Sequence, residues 1–191
     1  TGKTAASAIT ASGIANSDNL TDPASTFLGI YGYEMTWSDG CGHMNTFNTA
    51  GFENRNNPIF YNKAQSIANP AGLAAYYGKL ALVPGSISQM NHPGDTFGDF
   101  YDFALYNPAF DAVIDLIEVG NGEGTVHQAG YFPSYQYYTK ALDKGWHLAP
   151  TNNQDNHLGN WGDSNTARTV ILATELTETS LYDAMRNRRV Y

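Results

Sequence analysis

Hydrophobic positions along this chain switch repeatedly between a two-residue period and a helical one. Between Phe27 and Trp37 the side chains of Tyr31, Tyr33, Met35 and Trp37 alternate with smaller or polar neighbours, the mark of an aromatic-rich, half-buried strand. Gly40-Cys41-Gly42 supplies a turn, and 43–48 reads as a second strand, so 27–48 is expected to be a hairpin or a pair of neighbouring strands. Leu73, Ala74, Tyr76, Tyr77 and Leu80 recur at helical spacing behind Asn69-Pro70, a capping residue followed by a first-turn proline, which predicts a helix over 70–80. An Ala-rich stretch predicts a shorter helix over 5–15.

The second half continues in the same style. A short strand over 86–90 runs into Asn91-His92-Pro93-Gly94, where proline ends pairing and pushes His92 toward extended backbone. The run 113–119 reads as a buried strand, 135–144 as a helix stopped by Gly145, 147–150 as a strand, 167–173 as a strand and 177–188 as a final helix. Strands and helices taking turns argue for an α/β architecture with a mostly parallel sheet, whose active face lies at the carboxyl ends of the strands.

Composition narrows the classes. A chain of 191 residues suits one domain. Ten Lys plus Arg against 18 Asp plus Glu give a formal charge of -8, which speaks against a phosphate-binding nucleic-acid surface. The one dense basic run, Arg186 to Arg189, falls at the end of a predicted helix, where cations complement the helix dipole. A single cysteine, Cys41, excludes an intrachain disulfide and a thiolate zinc site. No apolar run approaches the roughly 20 residues of a membrane span. Low charge with abundant Asn, Gly and Tyr is a composition commoner in secreted or extracytoplasmic proteins.

Candidate chemistry gathers at predicted strand ends. Glu34, His43, His92, Asp155 and His157 all fall within or just after strands, and mixed oxygen and nitrogen donors of this kind suit zinc, manganese or iron rather than calcium. Arg168 offers a planar fork to a phosphate or carboxylate, with an ion pair to a nearby acid as the equal alternative. Glu118 reads evenly as a cleft residue or a solvent-facing strand end. His127 and His147 read as structural histidines, and Trp37, Trp161 and the tyrosines of 131–138 as packing residues that are also able to stack on a sugar or aromatic ligand. Gly120-x-Gly122-x-Gly124 is not followed by a helix, so a phosphate cradle is not expected there.

With these segments in view, the chain resembles the PHP (polymerase and histidinol phosphatase) metal-dependent hydrolases, within the branch of carbaryl hydrolase-like proteins. The likeness rests on Gly32 to Ser38 with Gly42-His43-Met44-Asn45, on Asn91-His92-Pro93-Gly94, on Asp155-Asn156-His157, and on Arg168 to Ala173 leading into Leu181 to Tyr191. It implies a distorted, here incomplete (β/α)7 barrel holding two or three divalent ions, with Glu34 as bridging carboxylate, His43 and His92 completing one ion's shell, and Asp155 and His157 reaching the others. The family opens on a His-x-His strand, whereas no histidine precedes His43 here. The resemblance therefore implies a single PHP-like domain cut at both ends.

Two functions follow as expectations. The first is hydrolysis of a small-molecule ester, phosphoester or carbamate by a metal-activated water, with Glu34, Asp155 and Arg168 as the catalytic candidates. The alternative is a non-catalytic module that binds glycan or cell-wall polymer through its aromatics on the same scaffold.

Overall fold

In a computed structural model of the protein, residues 27–37, 40–60 and 71–191 are described. They form six strands and four helices in the order β1 (Gly32–Trp37), β2 (Gly42–Phe47), α1 (Ala71–Leu80), β3 (Ile87–Asn91), α2 (Pro108–Asp111), β4 (Leu116–Asn121), β5 (Phe132–Pro133), α3 (Tyr135–Asp143), β6 (Ala149–Asn152) and α4 (Glu178–Arg186). The helix expected over 5–15 and the Asn69-Pro70 cap lie outside the described residues. Among the described residues no helix is long and apolar enough to cross a membrane.

The sheet is mixed, and it corrects the expectation of a mostly parallel (β/α)7 barrel. β1–β2, β2–β3 and β4–β5 pair antiparallel, while only β3–β4 and β4–β6 are parallel. The reason lies in the connections. The turn at Gly40-Cys41-Gly42 is too short for a crossover, so β1 and β2 must run in opposite senses. Two of the four helices do sit in parallel crossovers, α2 between β3 and β4 and α3 between β4 and β6. The strand expected over 167–173 is a second correction. That segment forms no named strand and meets the chain end through an isolated Ile171–Val190 bridge, the reciprocal Val170–Tyr191 hydrogen bonds and the Leu172 N–H donated to the Arg189 carbonyl.

One face of the sheet carries the main core. Met35, Trp37, Met44, Met90 and Ile117 meet Leu73, Tyr76, Tyr77 and Leu80 of α1, together with Phe100, Phe103 and Trp146. The α1 residues recur at the spacing that lines up one stripe of a helix, which is why that helix docks there. Both buried indoles donate their N–H groups, Trp37 to the Phe60 carbonyl at 2.7 Å and Trp146 to the Phe103 carbonyl at 2.8 Å, so no polar atom of theirs is stranded.

The opposite face is divided. At one end Ile87, Leu116 and Ala149 are covered by Tyr182 and Met185 of α4, with Phe47 and Ile171 at the margin. Two residues further along the same strands the side chains become Asn45, Gln89, Glu118 and Thr151. The two-residue pleat keeps them on the same face while the chemistry changes from apolar to polar.

Candidate metal centre

The register of the antiparallel pairs aligns the polar end of that face. Glu34 lies opposite Asn45, Thr36 opposite His43, and His43 opposite Asn91, so Glu34, His43 and Asn91 project from three adjacent strands toward one place. His92 follows directly after β3. Glu34, His43 and His92 each offer one ligand atom, and these atoms lie within 4.8 Å of one another. This group can hold a metal ion.

The distances fit a coordination shell better than direct contact. Glu34 Oε1 stands 3.7 Å from His43 Nδ1 and 3.8 Å from His92 Nε2, too long for hydrogen bonds. Ligands about 2.1 Å from a tetrahedral centre are separated by roughly 3.4 Å, so a small inward movement closes the shell. Two imidazoles and one carboxylate leave a position open, as catalytic sites do. Burial lowers the pKa of both histidines, with the neighbouring His43 lowering that of His92 further. Both shifts favour the neutral imidazole that a metal needs.

His92 is held in an unusual conformation. Its φ is +28°, not the extended backbone that the following proline predicts. Such strain persists only where the surroundings over-determine it. The anchor here is Glu118, whose Oε2 accepts the His92 backbone N–H at 2.6 Å. Asn121 donates to the same oxygen at 2.9 Å, and Asn153 to Oε1 at 2.8 Å. Glu118 is 3% exposed, and burial pushes its carboxyl up to about 7 despite those donors. A register shift between Glu118 and Gly120 inserts an extra residue in β4, which is how side chains three apart, Glu118 and Asn121, meet on one face. Asn91 in turn donates to Glu34 Oε1 at 2.8 Å and accepts from Gln89 at 2.9 Å, fixing the carboxylate ligand.

Phe97 covers the two imidazoles, its ring centroid 4.8 Å from that of His43 and 4.6 Å from that of His92. It belongs to a tight turn closed by reciprocal Gly94–Gly98 hydrogen bonds. Gly98 bridges to Cys41, and a Cβ on Gly98 would stand 1.4 Å from the Gly40 carbonyl oxygen, so only glycine permits this approach.

The remaining candidates are spread outward. Asp155 borders two adjoining cavities, one of about 230 Å³ that reaches Glu34, Gln89, Glu118 and Asn153, and a larger one of about 670 Å³. His157 borders only the larger. Its Nδ1 lies 3.7 Å from Asp155 Oδ1, and its backbone N–H is taken by the Glu123 carboxylate. Neither Asp155 nor His157 belongs to the three-residue cluster. Arg168 borders neither cavity. Its guanidinium donates to the backbone carbonyls of Gly162, Asn165 and Ala167 and so braces its own loop.

His127 is exposed with its ring edge-on to Tyr131, and His147 pairs with Asp111 at 2.9 Å, both away from the cluster. The sequence left Glu118 undecided. The signal that would have settled it is the length of the polar run: the strand continues through Gly120 and Asn121, so Glu118 is a mid-strand residue and not its solvent-facing end. Scans of the chain against protein-family models, curated proteins and solved structures find no match.

Proposed function

We propose that the protein is a metal-dependent hydrolase of a small-molecule ester or phosphoester, with a zinc, manganese or iron ion held by Glu34, His43 and His92. The observation that carries this reading is the convergence of those three side chains from separate strands beside a cavity. Such an ion supplies an acidified water and positive charge where the transition state develops negative charge. The chain's own residues do the rest. Glu118 and Asn91 hold two of the ligands in place before any ion arrives, as outer partners of metal ligands do. Asp155, on the wall shared by both cavities, is the group placed to take a proton from the attacking water. Asp155 and His157, which the resemblance assigns to further ions, stand on the rim of the larger cavity outside the three-residue cluster.

The PHP-like segments support the same reading, although the sheet does not follow the barrel they imply. Reconstitution with zinc, manganese or iron followed by elemental analysis tests it. About one tightly held equivalent is expected, together with its loss in Glu34→Ala and in His92→Ala. A protein that retains no ion, or whose ion survives both substitutions, overturns the proposal.

A further inference from the structure

The cavity of about 670 Å³ begins at His92 and Asp155 and runs outward between the 94–97 turn, the 121–123 segment, β5 and the 155–158 loop. It is of the size that accommodates a small organic ligand. Its apolar wall is made by Phe97, Pro93, Phe132, Pro133 and Leu158. Phe132 is 63% exposed and Leu158 80% exposed, so large apolar side chains stand in solvent around the mouth of the cavity instead of in the core. Surfaces of that kind mark ligand grooves.

The charged groups on the same walls are all of one sign. Asp95, Glu123 and Asp155 border the cavity, and among the described residues no Lys or Arg borders it or the smaller cavity beside the candidate ligands. Anion recognition depends on cationic forks or clusters of free backbone N–H groups. The arginine singled out from the sequence as an anion fork, Arg168, is taken up by three carbonyls of its own loop. A negatively charged substituent on the outer walls, away from the ion, would therefore meet three carboxylates with no Lys or Arg on those walls among the described residues, in a space partly walled off from water, where such repulsion is screened less than in bulk solvent.

Resting on the hydrolase reading, we infer that the part of the substrate away from the reacting bond is an uncharged, apolar group, aromatic or branched aliphatic, seated between Phe97, Phe132 and Leu158. An anionic flank is rejected. Selectivity of this kind comes as much from the repulsive carboxylates as from the apolar contact. Tyr137 reinforces the arrangement by donating to Asp95 Oδ1 at 2.9 Å, which fixes one carboxylate at the mouth.

The test compares two probes of one shape, 4-tert-butylbenzamide and 4-tert-butylbenzoate, by ligand-observed NMR titration of the metal-free protein, where no ion draws in the carboxylate. The amide is expected to bind at least tenfold more tightly than the carboxylate, and to lose that binding in the double variant F132A/L158A. Both of those side chains are exposed, so the fold is not at stake, and an unchanged thermal midpoint checks this. In the double variant D95N/E123Q the gap between the probes is expected to narrow. Equal binding, a preference for the carboxylate, no binding of either probe, or amide binding that survives F132A/L158A each overturns the inference. Because the probes report on the cavity and elemental analysis reports on the ion, loss of zinc with probe selectivity intact sinks the hydrolase reading alone.

Discussion

The two ends of the divided sheet face are built on the same strands and differ in what they are for. At one end Ile87, Leu116 and Ala149 lie against Tyr182 and Met185, an apolar contact that any residues of similar volume satisfy. At the other, Gln89, Asn91, Glu118 and Asn153 form a chain of donors and acceptors ending on two of the candidate ligands, Glu34 and His92, in which each group has few substitutes. Apolar burial is non-directional, whereas a buried polar network specifies one geometry and is costly when incomplete. The apolar end therefore anchors the fold and the polar end fixes the positions of the ligand atoms.

That contrast can be broken from either side. The largest effect is expected for Leu116→Ala, which opens a void beneath α4 and lowers stability by about 2–5 kcal/mol in denaturant titration, with the metal stoichiometry of the folded fraction unchanged. Loss of the ion in that variant would show that the two ends are not separable. Glu118→Ala acts in the opposite sense. It releases the His92 backbone and is expected to weaken metal affinity 10- to 100-fold, measured by competition with a chelator, in line with other outer-shell carboxylates. An affinity equal to that of the parent protein would reduce Glu118 to a packing residue.

A smaller effect is expected at Asp115, just before β4. Its carboxyl is 1% exposed, its Oδ2 has no hydrogen-bond partner among the described residues, and the Arg188 guanidinium comes no closer to it than 3.9 Å. Burial pushes its pKa up to about 7. A raised carboxyl pKa means that the folded state keeps its proton longer than the unfolded chain does. The resulting stabilisation is complete below about pH 4 and is lost as pH rises toward 7. Asp115→Asn, which mimics the protonated form, should match the parent protein at pH 4 and exceed it at pH 8 by on the order of 1–2 kcal/mol. A pH-independent difference between the two would show that the carboxyl is already ionised at pH 4.

Much of this organisation was legible in the sequence, and the exceptions have physical causes. Periodicity placed α1, α3 and α4, because each carries an apolar stripe or a clear cap or stop, such as the Thr177 side chain accepting the Ser180 N–H, or Gly145 at φ +100°. Glu34, His43 and His92 were found because ligand-type residues stand out at strand ends. Sheet direction was not legible. Alternation of strands and helices suggests parallel pairing, but the sense of each strand depends on whether its connection can cross the sheet, and the Gly40–Gly42 turn cannot. The apolar run 167–173 misled for a related reason: β-branched residues favour a strand only where a partner strand exists, and here the partner is the three-residue chain end 189–191, too short for more than one bridge. The backbone of His92 also escaped, since a local preference for extended geometry gives way to a carboxylate that arrives from a strand 26 residues later.

The turn that carries Phe97 decides which side of the three-residue cluster is covered. Because Gly98 is seated against the Gly40 carbonyl, the backbone beneath the aromatic cover is tied to the β1–β2 connection, on the hairpin that also bears His43. That side of the pair of imidazoles is covered by the Phe97 ring. The open side of the imidazole pair is therefore the one toward the wider mouth bounded by β5 and the 155–158 loop, where the larger cavity lies.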